Sequence, residues 1–165
     1  MQNNGSIDLG GGVAHTITTL SPAIFSGVVS NGGFVKDGAS SLTLSNVNTY
    51  TGGTTLTNGT LIAGSATYAF GGSGATPGTL TINGGALDAS VTATITNPIA
   101  FGGDLTFTGS NNLTQTTGAI TLGANRTITV GGNTLSLGGI VSGTNFGITK
   151  AGAGTLTLAG VNTYT

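Results

Sequence analysis

Four aspartates, Asp8, Asp37, Asp88 and Asp104, are the only acids in this chain of 165 residues. Glycoside hydrolysis or elimination on a β scaffold needs carboxylates or bases converging on one cleft. Here no two acids form a close pair such as Asp-x-Asp. A carbohydrate-active enzyme would require Asp37, Asp88 and Asp104 to approach within about 10 Å of one another. His15 is the only histidine and cysteine is absent, so a zinc site has no ligand set. Calcium-binding nonapeptides need Gly-Gly-x-Gly-x-Asp. Gly71-Gly72-Ser73-Gly74 lacks the Asp, and Gly102-Gly103-Asp104 occurs once. No GxxxxGK[ST] phosphate loop is present. The sequence predicts no catalytic residue, no cofactor and no metal.

Two other patterns invite a functional reading. Thr-x-Thr runs such as Thr92-Ala93-Thr94 and Thr127-Ile128-Thr129 have the residue types of an ice-binding array. Such an array requires the same run at the same point of every turn, and here spacing and central residue vary. The box Asn48-Thr49-Tyr50-Thr51 recurs as Asn162-Thr163-Tyr164-Thr165. It reads either as a ligand patch or, more economically, as a corner in which Asn bonds backbone and Tyr covers the flank.

That recurrence belongs to a longer one. Lys36 to Thr51, KDGASSLTLSNVNTYT, returns as KAGAGTLTLAGVNTYT from Lys150 to Thr165, identical at eleven of sixteen positions with an offset of 114. Upstream, His15-Thr16-Ile17-Thr18 parallels Arg126-Thr127-Ile128-Thr129, and Ser6-Ile7-Asp8-Leu9-Gly10 parallels Ala119-Ile120-Thr121-Leu122-Gly123. Residues 1–51 therefore resemble 115–165, with the offset drifting between about 111 and 114. The positions of Asp8 and Asp37 hold Thr121 and Ala151 in the second copy, so the repeat does not depend on them. Self-similarity of this kind is the mark of stacked units. We expect one continuous unit over 1–165, cut from a longer array, with Met1 either native or added for expression.

Apolar and small polar residues alternate almost throughout, as in Leu42-Thr43-Leu44, Leu80-Thr81-Ile82, Leu105-Thr106-Phe107 and Leu156-Thr157-Leu158. Period two places one set of side chains inside and the hydroxyls outside. Gly-Gly, Asn-Gly and Pro-Gly pairs punctuate the runs and supply corner conformations. No helical periodicity survives. The spacing predicts an all-β chain of about eighteen short strands. An antiparallel sandwich and a parallel β-solenoid both fit; the internal repeat favours the solenoid, with six to eight coils, no helices and uncapped, adhesive ends.

Composition agrees. Gly and Thr contribute 32 residues each, charged residues are 4%, net charge is −1, and mean hydropathy is +0.32. A chain this poor in charge gives nucleic acid or an anionic membrane nothing to hold. No apolar run approaches the length of a membrane span, and no export signal is visible. We expect no direct membrane insertion by this segment.

From Lys36 to Gly64 the sequence resembles the passenger-associated strand repeat of bacterial autotransporters. That repeat is written as Lys, a Gly-rich pair, Leu-Thr-Leu, then Asn-Thr-Tyr-Thr-Gly-Gly-Thr-Thr and Gly-Thr-Leu. The residues carrying it are Lys36, Leu42, Leu44, Asn48, Tyr50 and Gly52, and, in the truncated copy at 150–165, Lys150, Leu156, Leu158, Asn162 and Tyr164. The resemblance implies a right-handed parallel β-helix, exported across the outer membrane by a C-terminal barrel that this sequence does not contain, and displayed or released outside the cell. It implies a structural stalk or fibre segment, adhesive and self-associating end to end or laterally. The implied partners are the chain itself and host-cell, surface or polysaccharide ligands.

Overall fold

The computed structural model describes residues 1–165, and every regular element in it is a strand. The chain winds repeatedly around three sides. The first winding holds β1 (Gln2–Asn3), β2 (Ile7–Asp8) and β3 (Ala14–Thr18), and the second β4 (Ala23–Phe25), β5 (Val29–Ser30) and β6 (Gly33–Asp37). The third holds β7 (Ser41–Leu44) and β8 (Thr54–Leu56), and the fourth β9 (Thr60–Ala63) and β10 (Leu80–Ile82). The fifth holds β11 (Ala86–Ala89), β12 (Ala93–Ile95) and β13 (Ile99–Phe101). The sixth holds β14 (Leu105–Phe107), β15 (Leu113–Gln115) and β16 (Ile120–Leu122). The seventh holds β17 (Arg126–Val130), β18 (Thr134–Leu137) and β19 (Val141–Ser142), and an eighth begins with β20 (Ile148–Ala151) and β21 (Thr155–Leu158).

Every pairing joins one winding to the next, and all are parallel; the first face runs β1-β4-β7-β9-β11-β14-β17-β20 and the third β3-β6-β8-β10-β13-β16-β19. The second face is formed by β2-β5 and by β12-β15-β18-β21. Between them, windings three and four cross it as loops, joined by the bond from Thr49 N to Val29 O and by a bridge between Thr67 and Thr94. This is a parallel β-solenoid of seven full windings. At a strand spacing of ~4.8 Å it is a rod on the order of 35 Å long. The antiparallel sandwich is thereby excluded. Strands number 21 rather than about eighteen because the winding also pairs two-residue stretches such as Gln2–Asn3.

Alternation is what makes the winding close. In β7, Leu42 and Leu44 point inward and are fully buried, while Ser41 and Thr43 are half-exposed. Registration then stacks like on like. One inward column of the first face reads Ala23, Leu42, Leu61, Leu87, Phe107, Val130. A column of the third reads Phe34, Thr54, Leu80, Ile99, Ile120, Val141. No winding could hide these side chains alone; each is covered by its neighbours above and below. Of 80 backbone–backbone hydrogen bonds, 39 lie outside the strands, so the corners too are tied from winding to winding.

Winding length varies with the corners. Registered partners are 19 residues apart where Leu42 meets Leu61, and 26 where Thr54 meets Leu80. The longer winding accommodates the Gly-rich loop around Gly71–Gly74, outside the inward columns.

Candidate functional site

Lys36 lies in an inward column of the third face, between Ile17 below and Leu56 above, and its side chain is fully buried. An ammonium in that position must satisfy its protons on backbone. It donates to the carbonyls of Asp37 (3.0 Å), Gly38 (3.0 Å) and Asn58 (2.9 Å). The first two belong to its own corner and the third to the next winding, so Lys36 clamps two successive corners together. Burial pulls its pKa below the usual lysine value, partly opposed by the neighbouring Asp37 carboxylate. Gly59 completes the cradle at a φ of +69°, where a Cβ would collide with the carbonyl oxygens of Gly38 and Ser40. Lys150 stands over Ile128 in β20 and makes the same two bonds within its corner, to Ala151 (3.2 Å) and Gly152 (2.6 Å). It is exposed.

Asn48 is a second cross-winding clamp. Its Oδ1 accepts from Val29 N (2.8 Å) in the winding before, and its Nδ2 donates to Ala69 O (2.7 Å) in the winding after; the side chain is wholly buried. Asn162 repeats the first half, accepting from Val141 N at 2.9 Å. Thr49 N and Thr163 N likewise bond Val29 O and Val141 O, each at 2.9 Å.

Tyr50 corrects the expectation that tyrosine covers the flank. It sits inside the core, 1% exposed, edge-on to Phe34 with ring centroids 5.5 Å apart. Its hydroxyl is bonded to Thr54 Oγ1 at 2.7 Å. Thr54 is the single polar member of its inward column because it supplies that partner, and burial holds the Tyr50 phenol far above its ordinary pKa. Tyr164 is partly buried against the same core. Gly52 donates its N–H to Gly32 O (2.7 Å), and backbone of the preceding winding leaves no room there for a Cβ. Leu42 and Leu44 are core, and Leu156 and Leu158 pack partly buried against it.

The structure distributes the acids rather than gathering them. Asp8 accepts from Asn31 (2.8 Å), Asp37 from Asn58 (2.7 Å), Asp88 from Ser110 N (2.8 Å) and Oγ (2.6 Å), and Asp104 from Thr127 N (2.9 Å). Each partner lies 21 to 23 residues ahead, one winding further along. The four acids are therefore ties between successive windings, three of them at corners and Asp88 on the outward side of β11. Asn31 and Gly10 hold the Asp8 carboxyl below its usual range, and Asn58 with Gly38 does the same for Asp37. For Asp88, burial pushes upward, but the hydrogen bonds from Ser110, Thr108 and Ala89 together outweigh it and leave the carboxyl below its usual range. His15 is exposed in β3, and the guanidinium of Arg126 bonds Phe101 O (3.1 Å) and Gly102 O (2.6 Å) of an earlier winding.

Sequence reading missed these ties, as well as Gln115, which is buried and bonds Asn97 O (3.1 Å), Gly118 O (3.0 Å), Thr117 O and Gly139 N (2.9 Å). The signal was present: an Asp followed by Asn, Ser or Thr one winding later. Hydroxyls do align on the second face, where Thr94, Thr114, Ser136 and Thr157 are registered neighbours. On the first face the outward column changes to Ile24, Thr43, Ile62 and Asp88, so no uniform threonine array covers the rod.

A parallel solenoid with little charge, whose acids and buried polar side chains join successive windings, is a repeat scaffold. Residues 34–63 and 148–165 match the passenger-associated-transport-repeat model. The chain is 41% identical, over 148 residues, to the Adhesin BmaC autotransporter of Brucella suis biovar 1 (strain 1330). That match covers 86% of this chain and 4% of the relative, so the chain spans a small fraction of the protein it resembles. No solved structure shows significant similarity to it. The chain belongs with autotransporter passengers that carry this repeat.

Proposed function

We propose that this segment is a rigid, non-catalytic stalk of a surface-displayed or secreted passenger, and that it contributes to adhesion through its length and by association with further copies of itself. The observation that carries the reading is the assignment of every Asp and of Lys36 to a bond between successive windings. All four carboxylates and the buried ammonium are thus used to fasten the rod. The relative's name, an adhesin autotransporter, supports an adhesive role for the parent protein. A surface with few lysines and no glutamate offers little charge to keep strand edges apart. The passenger class supports display outside the cell.

The test is to image the purified segment by negative stain over a range of concentrations, and to display it on a non-adherent bacterium scored for clumping and for binding to cells and polysaccharide-coated surfaces. Concentration-dependent filaments together with gained clumping are the expected results. Monodisperse particles at high concentration, or hydrolysis of a polysaccharide by the purified segment, would overturn the reading.

A further inference from the structure

The two copies of the sequence repeat do not lie on the same side of the rod. β2 is on the second face, and its counterpart β16 is on the third. β3 is on the third, and its counterpart β17 on the first. The shift continues without exception: β4 to β18 from first to second, β5 to β19 from second to third, β6 to β20 from third to first, and β7 to β21 from first to second. Six consecutive elements are advanced by one face. From β7 in the third winding to β21 in the eighth, the offset of 114 residues corresponds to five windings and one further side.

The packing explains why this is tolerated. Leu42 and Leu44 fill inward positions of the first face, and Leu156 and Leu158 the corresponding ones of the second. Ile17 serves the third face and Ile128 the first. The three inner walls are built from the same branched side chains, so a motif written for one wall packs against any of them. Corners are equally interchangeable. Lys36 turns the third face into the first, and Lys150 turns the first into the second, each with Nζ bonded to the two carbonyls that follow it.

We propose that the repeat is a screw element: each copy presents its surface about a third of a turn round the rod from the copy before. A ligand that reads an exposed corner of this repeat meets it on a new side at each copy. Such a rod fits partners arranged around its circumference rather than one flat surface contacted along a single line. The geometry holds independently of what the segment binds, so its test is separate from the test of adhesion.

Ala39 and Ala153 occupy equivalent exposed corner positions, and the chain has no cysteine of its own. Ala39→Cys and Ala153→Cys in the full chain, both biotinylated and decorated with monovalent streptavidin, give two visible markers. Negative-stain averages are expected to show them on different sides of the rod, about a third of a turn apart. Markers on one line parallel to the axis would overturn the proposal. A second pair, Thr43→Cys with Thr157→Cys, marks the first and second faces directly and decides the matter should the corner variants misfold, as read by circular dichroism.

Discussion

The ammonium of Lys36 donates to the backbone carbonyl of Asn58 across the gap between two windings, 2.9 Å away. A charge in a column otherwise filled by Ile17, Leu56, Ile82 and Phe101 is stable there because three carbonyls replace its water. Removing it strands those acceptors. Lys36→Met, which keeps the bulk, is expected to lower stability by about 1–3 kcal/mol, the relief of a buried charge offsetting part of the loss. Lys150→Met, at an exposed site, should change stability by no more than about 0.5 kcal/mol. Urea unfolding of the two variants side by side checks the contrast.

Asn48 satisfies a donor and an acceptor on opposite sides of its own winding. Asn48→Ala leaves Val29 N and Ala69 O facing a void, and a loss of about 2–4 kcal/mol follows. Asn162→Ala removes a single bond at a more open site and is expected to cost roughly a third as much. Hydrogen exchange read at Val29 should accelerate in the first variant and stay unchanged in the second.

Gly59→Ala is predicted to destabilise by at least about 1 kcal/mol, since a left-handed φ and a collision with two carbonyls coincide there. Gly11→Ala meets no atom within 4 Å and provides the control, with a change near zero. Thermal midpoints are sufficient to separate them.

The lowered carboxyl values of Asp8 and Asp37 fix a pH dependence. A group whose folded pKa lies below its unfolded value of 3.8 stabilises the fold fully above that pH. The contribution is lost as pH falls from there through the lowered folded values. Melting temperature should be flat from neutrality to about pH 5 and decline below 3.8. The double variant Asp8→Asn, Asp37→Asn is expected to melt lower at neutral pH and to decline less steeply in acid.

Much of the architecture was legible because period two and the internal repeat speak to the same physical fact, that each winding must be covered by another. Leu42-Thr43-Leu44 announces which residues turn inward before any coordinates exist. What could not be read was which winding meets which. Lys36 alternates with Val35 and Asp37, and only the column above it reveals an inward lysine. Tyr50 follows Asn48 in a stretch without regular strand geometry, so alternation gave no guidance there, and its burial depends on Phe34 and Thr54 from neighbouring strands. The aspartate ties become visible once winding length is known, because their partners sit 21 to 23 residues away.

Cysteine pairs placed across two windings test the stacking most directly. Thr114 and Ser136 are registered neighbours on the second face, with Cα atoms about 4.8 Å apart and side chains on the same outer surface. Thr114→Cys with Ser136→Cys is predicted to form an intramolecular disulfide rapidly under mild oxidation. Thr114→Cys with Thr134→Cys, two residues out of register, should remain reduced. Fast closure of the second pair and not the first would contradict parallel, in-register windings as the basis of this protein's shape.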